Sequence, residues 1–137
     1  MENILFNIAY ACYTASTLLY LAYLFTKRER FSRIAWGFLC VALVIHIGSL
    51  VTRTVVARSD FYHQAQLLRS EGKMEAALGA ERAGNSYVPW SNWFESFSFF
   101  GAIIAAIFFI ISSRIAIPIL GAFIMPISWG LLTVADS

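Results

Sequence analysis

Charge is scarce in this sequence. Asp, Glu, Lys and Arg make up 13% of the 137 residues, against about 25% in an ordinary soluble domain. The hydrophobic share is 59% and the mean hydropathy is +0.68. This balance excludes a disordered tail and an ordinary soluble enzyme domain. A net charge of +2 is too small to indicate a nucleic-acid partner. Cysteine is nearly absent, with only Cys12 and Cys40. Neither stands in a CxxC or CxxCH setting. As members of two antiparallel helices they would lie about 13 Å apart in depth. A disulfide needs Cα atoms within about 7 Å, so both are expected as free thiols. Histidine is limited to His46 and His63, and their spacing is not that of a metal pair. Paired carboxylates, a nucleophile beside a base and a phosphate-cradling glycine loop are all lacking, so the residues nominate no catalytic group and no metal site.

What the chain does have is long runs free of charge, over residues 4–26, 34–52, 96–113 and 115–135. A run of about 18 residues or more crosses a bilayer core as a helix. The expected fold is an all-α integral membrane protein with four transmembrane helices, over about 4–26, 34–56, 96–113 and 115–135. One larger loop over 57–95 joins the second span to the third. Residues 1–3 carry no basic side chain, and the first run is too long for a signal-peptide core. It is expected to be a retained span.

Lys27, Arg28, Arg30 and Arg33 crowd the first turn. By the positive-inside rule this turn is cytoplasmic, and the N-terminus and the 57–95 loop lie outside. Arg53 and four basic residues of that loop also lie outside, but long loops weigh less in the rule.

Several patterns within the spans are informative. Tyr10, Tyr13, Thr17 and Tyr20 fall on one face of the first helix; we read them as a packing stripe rather than a wall facing a cofactor or lipid. Gly101 with Ala105, and Ala102 with Ala106, give the spacing that lets helices approach closely. Pro118, Gly121, Pro126 and Gly130 imply a kinked fourth span surrounded by more than lipid. Trp36 and Trp129 fall near span ends, where indole rings suit the headgroup level. In the loop, the apolar pattern of 61–83 broken at Gly72 suggests two short amphipathic helices at the membrane surface. Gly84-Asn85-Ser86 reads as a turn.

The most specific stretch is Val88-Pro89-Trp90-Ser91-Asn92-Trp93-Phe94-Glu95-Ser96. Pro89 stops a preceding helix. Asn92 can cap the third span, with Glu95 reaching back to it in a capping box. Trp90 and Trp93 would float in the outer interface. His46 is the one ionisable side chain well inside a span. It is either a haem ligand or a neutral imidazole bonded to a Ser, Thr or Tyr of a neighbouring helix, and the latter is favoured. Arg53, where the second span leaves the membrane, could meet a haem propionate or a phosphate; snorkelling to headgroups is the favoured reading. His63 is expected to be solvated.

The stretch Pro89-Trp90-Ser91-Asn92-Trp93-Phe94-Glu95-Ser96 resembles a signature of the CcsA/ResC type of cytochrome c assembly protein, the membrane subunit of the System II haem lyase. Pro89, Ser91, Asn92, Phe94, Glu95 and Ser96 carry the likeness, and Leu50-Val51-Thr52-Arg53 resembles the approach to it. The order of spans agrees as well. Residues 61–83 look like an insertion relative to shorter members. The resemblance implies a bacterial inner-membrane protein, haem as cofactor, and a CcsB/ResB-type subunit and apocytochrome c as partners. The family's Trp-rich haem-handling segment, ending in Trp-Asp-Pro-Lys-Glu and flanked by histidines, is absent from this sequence. The chain therefore resembles the N-terminal portion of a longer protein, and lyase activity does not carry over. The competing expectations are a non-catalytic four-helix scaffold and a small transporter subunit.

Overall fold

A computed structural model describes residues 2–88, 90 and 92–136, without the side chains of Glu2 and Asn3. Five helices follow one another: α1 (Glu2–Thr26), α2 (Glu29–Ser70), α3 (Met74–Ser86), α4 (Trp93–Arg114) and α5 (Pro118–Asp136). Four of them, all but α3, are long and apolar enough to cross a membrane. The expected all-α, four-span architecture is what the structure shows.

The spanning helices form a ring in the order α1–α2–α4–α5. α1 packs on α2 and α5, α4 packs on α5, and a thinner seam joins α2 to α4. Short connections make consecutive helices antiparallel neighbours. The first is Lys27-Arg28, where Lys27 takes φ +54 and its N–H meets the Tyr23 carbonyl at 2.7 Å. That is the left-handed cap more often left to glycine. About a third of each spanning window is buried, so most of each apolar surface faces outward, as a lipid-solvated bundle requires. We call the end bearing Lys27 to Arg33 the basic end, and the end bearing Trp93 the motif end.

α2 departs from expectation. It runs unbroken for 42 residues, about 63 Å at 1.5 Å per residue, so it extends well past the span expected to close at residue 56. From Ser49 to Glu71 the sequence holds no proline or glycine. The charges that begin at Arg53 end the apolar stretch, not the helix. The helix stops where Gly72 supplies φ +78. α3 then folds back along the extension, tied by Arg69 to Glu81 at 2.6 Å. Of the two short helices expected in the loop, the first is the continuation of α2, and the pair forms a helical hairpin. The expected turn at Gly84 to Ser86 is the last turn of α3. A Cβ on Gly84 would lie 3.0 Å from that of Phe61, so this glycine serves a close helix approach. α3 ends as Tyr87 becomes extended, two positions before Pro89, which lies outside the described residues.

Inside the bundle the tyrosine stripe is a packing stripe. Tyr13 and Tyr20 are buried, with Thr17 between them. Gly101 faces α5, where a Cβ would stand 3.3 Å from the Ser128 carbonyl; the Ser128 hydroxyl donates to the Gly101 carbonyl at 2.7 Å. Pro118 opens α5, a position that needs no N–H partner, and Pro126 lies inside the helix. Trp129 turns into the bundle rather than toward headgroups. Its Nε1 donates to Thr14 at 2.9 Å, and its ring stacks on Tyr10. Cys12 and Cys40 are free thiols.

Gly121 makes the tightest of these approaches. A Cβ there would come within 2.6 Å of the Tyr20 ring and 2.8 Å of Phe108. Gly121→Ala is expected to destabilise the bundle by about 1–3 kcal/mol through overpacking. Gly48→Ala, which meets nothing within 4 Å, should be neutral or stabilise by up to about 1 kcal/mol. Unfolding of both variants in detergent micelles checks this; equal midpoints would refute the packing argument.

Candidate functional site

Of the buried polar side chains, Ser16, Thr17 and Ser128 lie within the middle of the bundle, while His46, Ser49, Glu95 and Ser98 lie toward the motif end. Helical spacing brings them there. His46 and Arg53 are seven residues apart on α2, two turns along one face. Glu95 and Ser98 are three apart on α4, also on one face. With the two helices antiparallel, His46 meets Ser98 and Arg53 meets Glu95. α1 adds Phe6 and Tyr13, again seven apart.

The deeper half centres on His46, which is fully buried. Its Nε2 lies 2.8 Å from the Ser98 hydroxyl and its Nδ1 3.3 Å from the Tyr13 hydroxyl. The rings of Tyr13 and Phe6 stand edge-on to the imidazole, with centroids 5.6 and 6.1 Å away. One imidazole thus joins α1, α2 and α4. A buried polar group left without a partner costs about 1–3 kcal/mol, and here all three groups are satisfied.

The upper half is an ion pair. Arg53 Nε donates to Glu95 Oε1 at 3.0 Å, and the Tyr87 hydroxyl donates to the same oxygen. Glu95 is 2% exposed. The Arg53 guanidinium sits over the Phe94 ring, 4.4 Å from its centroid. Phe94 in turn packs on Phe6, with centroids 5.1 Å apart. The expectation that Arg53 snorkels to headgroups is corrected: a buried carboxylate one helix away holds it. Asn92 caps α4 as expected, its side chain accepting from the Glu95 N–H at 2.8 Å. Glu95 Oε1 accepts from Arg53 and Tyr87.

The other sequence-nominated residues fall around this cluster. Ser96 donates to the Trp90 carbonyl at 3.1 Å and so fixes the turn before α4. Trp90 and Trp93 are exposed. Pro89 and Ser91 lie outside the described residues. His63 is exposed on the extension of α2, beside a shallow cavity lined by Asp60, Phe61 and Tyr87. Sequence reading missed Ser98 and Tyr87. The three-residue step from Glu95 to Ser98 was a usable signal for the first; nothing local marked Tyr87.

A haem expected from the resemblance can be tested against this donor set. Axial ligation needs a ring nitrogen facing iron. Both nitrogens of His46 face hydroxyls of other helices, and His63 is 17 residues along α2, about 26 Å away. Among the described residues no group of three or more His, Cys, Asp or Glu could hold a metal ion. The donor set does not fit axial haem ligation, and Arg53 is committed to Glu95. What the arrangement does chemically is hold three helices in register.

No family model, no curated protein and no solved structure matches the chain.

His46→Phe should leave the buried Tyr13 and Ser98 hydroxyls unpaired and destabilise the bundle by about 2–4 kcal/mol. Denaturant unfolding in micelles, followed by tryptophan fluorescence, measures it. A change below about 0.5 kcal/mol would mean the imidazole is not the link described.

Proposed function

We propose that the chain is a non-catalytic membrane module of a haem-delivery and cytochrome c attachment complex of the CcsA/ResC kind. One observation carries this reading. The residues that resemble the family stretch form a connected cluster rather than a chance string: Asn92 caps Glu95, Glu95 binds Arg53, and Arg53 lies on Phe94. Such a cluster fixes the angle at which the segment before α4 meets the bundle, and it leaves Trp90 and Trp93 exposed at the motif end. Those indoles suit an outer-leaflet contact or a partner subunit of the CcsB/ResB type. In this reading the N-terminus and motif end face the periplasmic side of a bacterial inner membrane, and the basic end faces the cytoplasm. No side chain of the described residues is assigned a step of the attachment chemistry.

The module reading predicts a specific loss. A strain lacking this gene should show depleted haem-stained c-type cytochromes with b-type cytochromes retained. The tagged chain should co-purify with a CcsB/ResB-type subunit. Undiminished c-type cytochromes in the deletion strain would contradict it and leave a scaffold of unrelated purpose.

A further inference from the structure

We propose that the basic end of the bundle carries a binding site for one anionic phospholipid with a glycerol headgroup, of the phosphatidylglycerol kind. This inference is independent of the cytochrome assembly reading. A cavity of about 400 Å³ opens there, where the first turns of α2, the end of α4 and the start of α5 converge. Its polar lining is Tyr20, Ser32, Arg33, Ser112 and Ser113; Phe108, Ile117 and Pro118 supply an apolar wall. A lipid needs both kinds of lining, one for the head and one for the upper acyl chain.

The donors suit a phosphate. The Arg33 side chain is 82% exposed, and it pairs with Glu29 in an exposed contact at 3.4 Å. Such a pair is worth little, so the guanidinium is readily drawn to a phosphate, which it can bind through two N–H groups. Lys27, Arg28 and Arg30 raise the local positive potential. The N-terminal ends of α2 and α5 add partial positive charge.

Tyr20 is the independent pointer to a ligand. It is 1% exposed, it lines the cavity, and its hydroxyl makes no hydrogen bond among the described residues. Its ring is locked by Gly121 and by edge-on contact with Phe108 at 5.5 Å. The hydroxyl is not sealed in the core, as the unpartnered Thr17 Oγ1 is; it reaches the cavity, where a ligand can meet it.

The serines select the headgroup. Ser112 donates to the Phe109 carbonyl and Ser113 to the Ile110 carbonyl. Their protons are spent, and their lone pairs can only accept. They suit a headgroup that brings hydrogen-bond donors, as glycerol and ethanolamine do and choline does not, and the basic cluster favours the anionic glycerol lipid of the two. Trp36, stacked on Phe109 with centroids 5.0 Å apart, flanks the entrance with a ring suited to the headgroup level.

The test uses the purified full chain in nanodiscs and native mass spectrometry. The probes are phosphatidylglycerol, phosphatidylcholine and inorganic phosphate. One phosphatidylglycerol should be retained in preference to phosphatidylcholine. Tyr20→Phe should weaken retention about tenfold, the loss of one charge-assisted hydrogen bond, and Arg33→Gln by at least as much. Tyr20→Phe keeps the ring packing, and Arg33 is exposed, so both variants should fold. Arg82→Gln, exposed on α3 at the other end of the molecule, should retain the lipid. Equal retention of the two lipids, undiminished retention by both variants, or an equal loss in Arg82→Gln would overturn the proposal. So would displacement of the lipid by millimolar inorganic phosphate, which would make this a free-anion site.

Discussion

A carboxylate buried at the end of an apolar helix bundle must find a cation, and Glu95 finds Arg53 across the α2–α4 seam. Removing two charges from water costs several kcal/mol, and attraction between them offsets that only with close geometry and further hydrogen bonds. Here the further bonds come from the Tyr87 hydroxyl, while the ring of Phe94 covers the guanidinium. The requirement propagates. Glu95 can be in place only if α4 begins where Asn92 caps it. Arg53 can be in place only if α2 is still helical as it leaves the apolar zone. The same register sets Ser98 opposite His46 and, through His46, Tyr13 of α1. Three helices are thereby fixed in depth and rotation by polar contacts, in a setting where apolar packing alone discriminates poorly between registers.

This arrangement changes what the intramembrane histidine means. An ionisable residue in a span invites a functional reading, and the family resemblance points that reading toward haem. Two hydroxyls on two different helices occupy the two faces a ligand would need. The signature residues likewise act on one another, as cap, counter-ion and ring platform. A stretch of this kind has physical work to do in shaping the protein whether or not a cofactor passes nearby. That is why the module reading assigns it placement and not chemistry.

The spans were legible because hydropathy and length report directly on a bilayer, and the cap at Asn92 was legible because capping is local. The stripe of Tyr13, Thr17 and Tyr20 was legible from its spacing. The two helices on either side of Gly72 were legible from their apolar pattern, but the continuity of the first with the second span was not, since charge after Arg53 signals departure from lipid and says nothing about whether a helix continues. Only the absence of glycine and proline before Gly72 carried that information. Gly84 misled because Gly-Asn-Ser is turn chemistry by composition, whereas the position exists to let α3 approach Phe61. The Arg53–Glu95 pair was out of reach for a different reason. It joins residues 42 apart in sequence, and each end had a sufficient local explanation, snorkelling for one and a capping box for the other.

The central claim is that Arg53 and Glu95 act as one unit that sets the helix register. A double-mutant cycle with Arg53→Met, Glu95→Leu and the pair, read by reversible unfolding in micelles, tests it most directly. The account predicts that each single change is strongly destabilising, that the double variant recovers much of the loss, and that the coupling is about 2 kcal/mol or more. Additive single effects, with coupling within about 0.3 kcal/mol of zero, would contradict it.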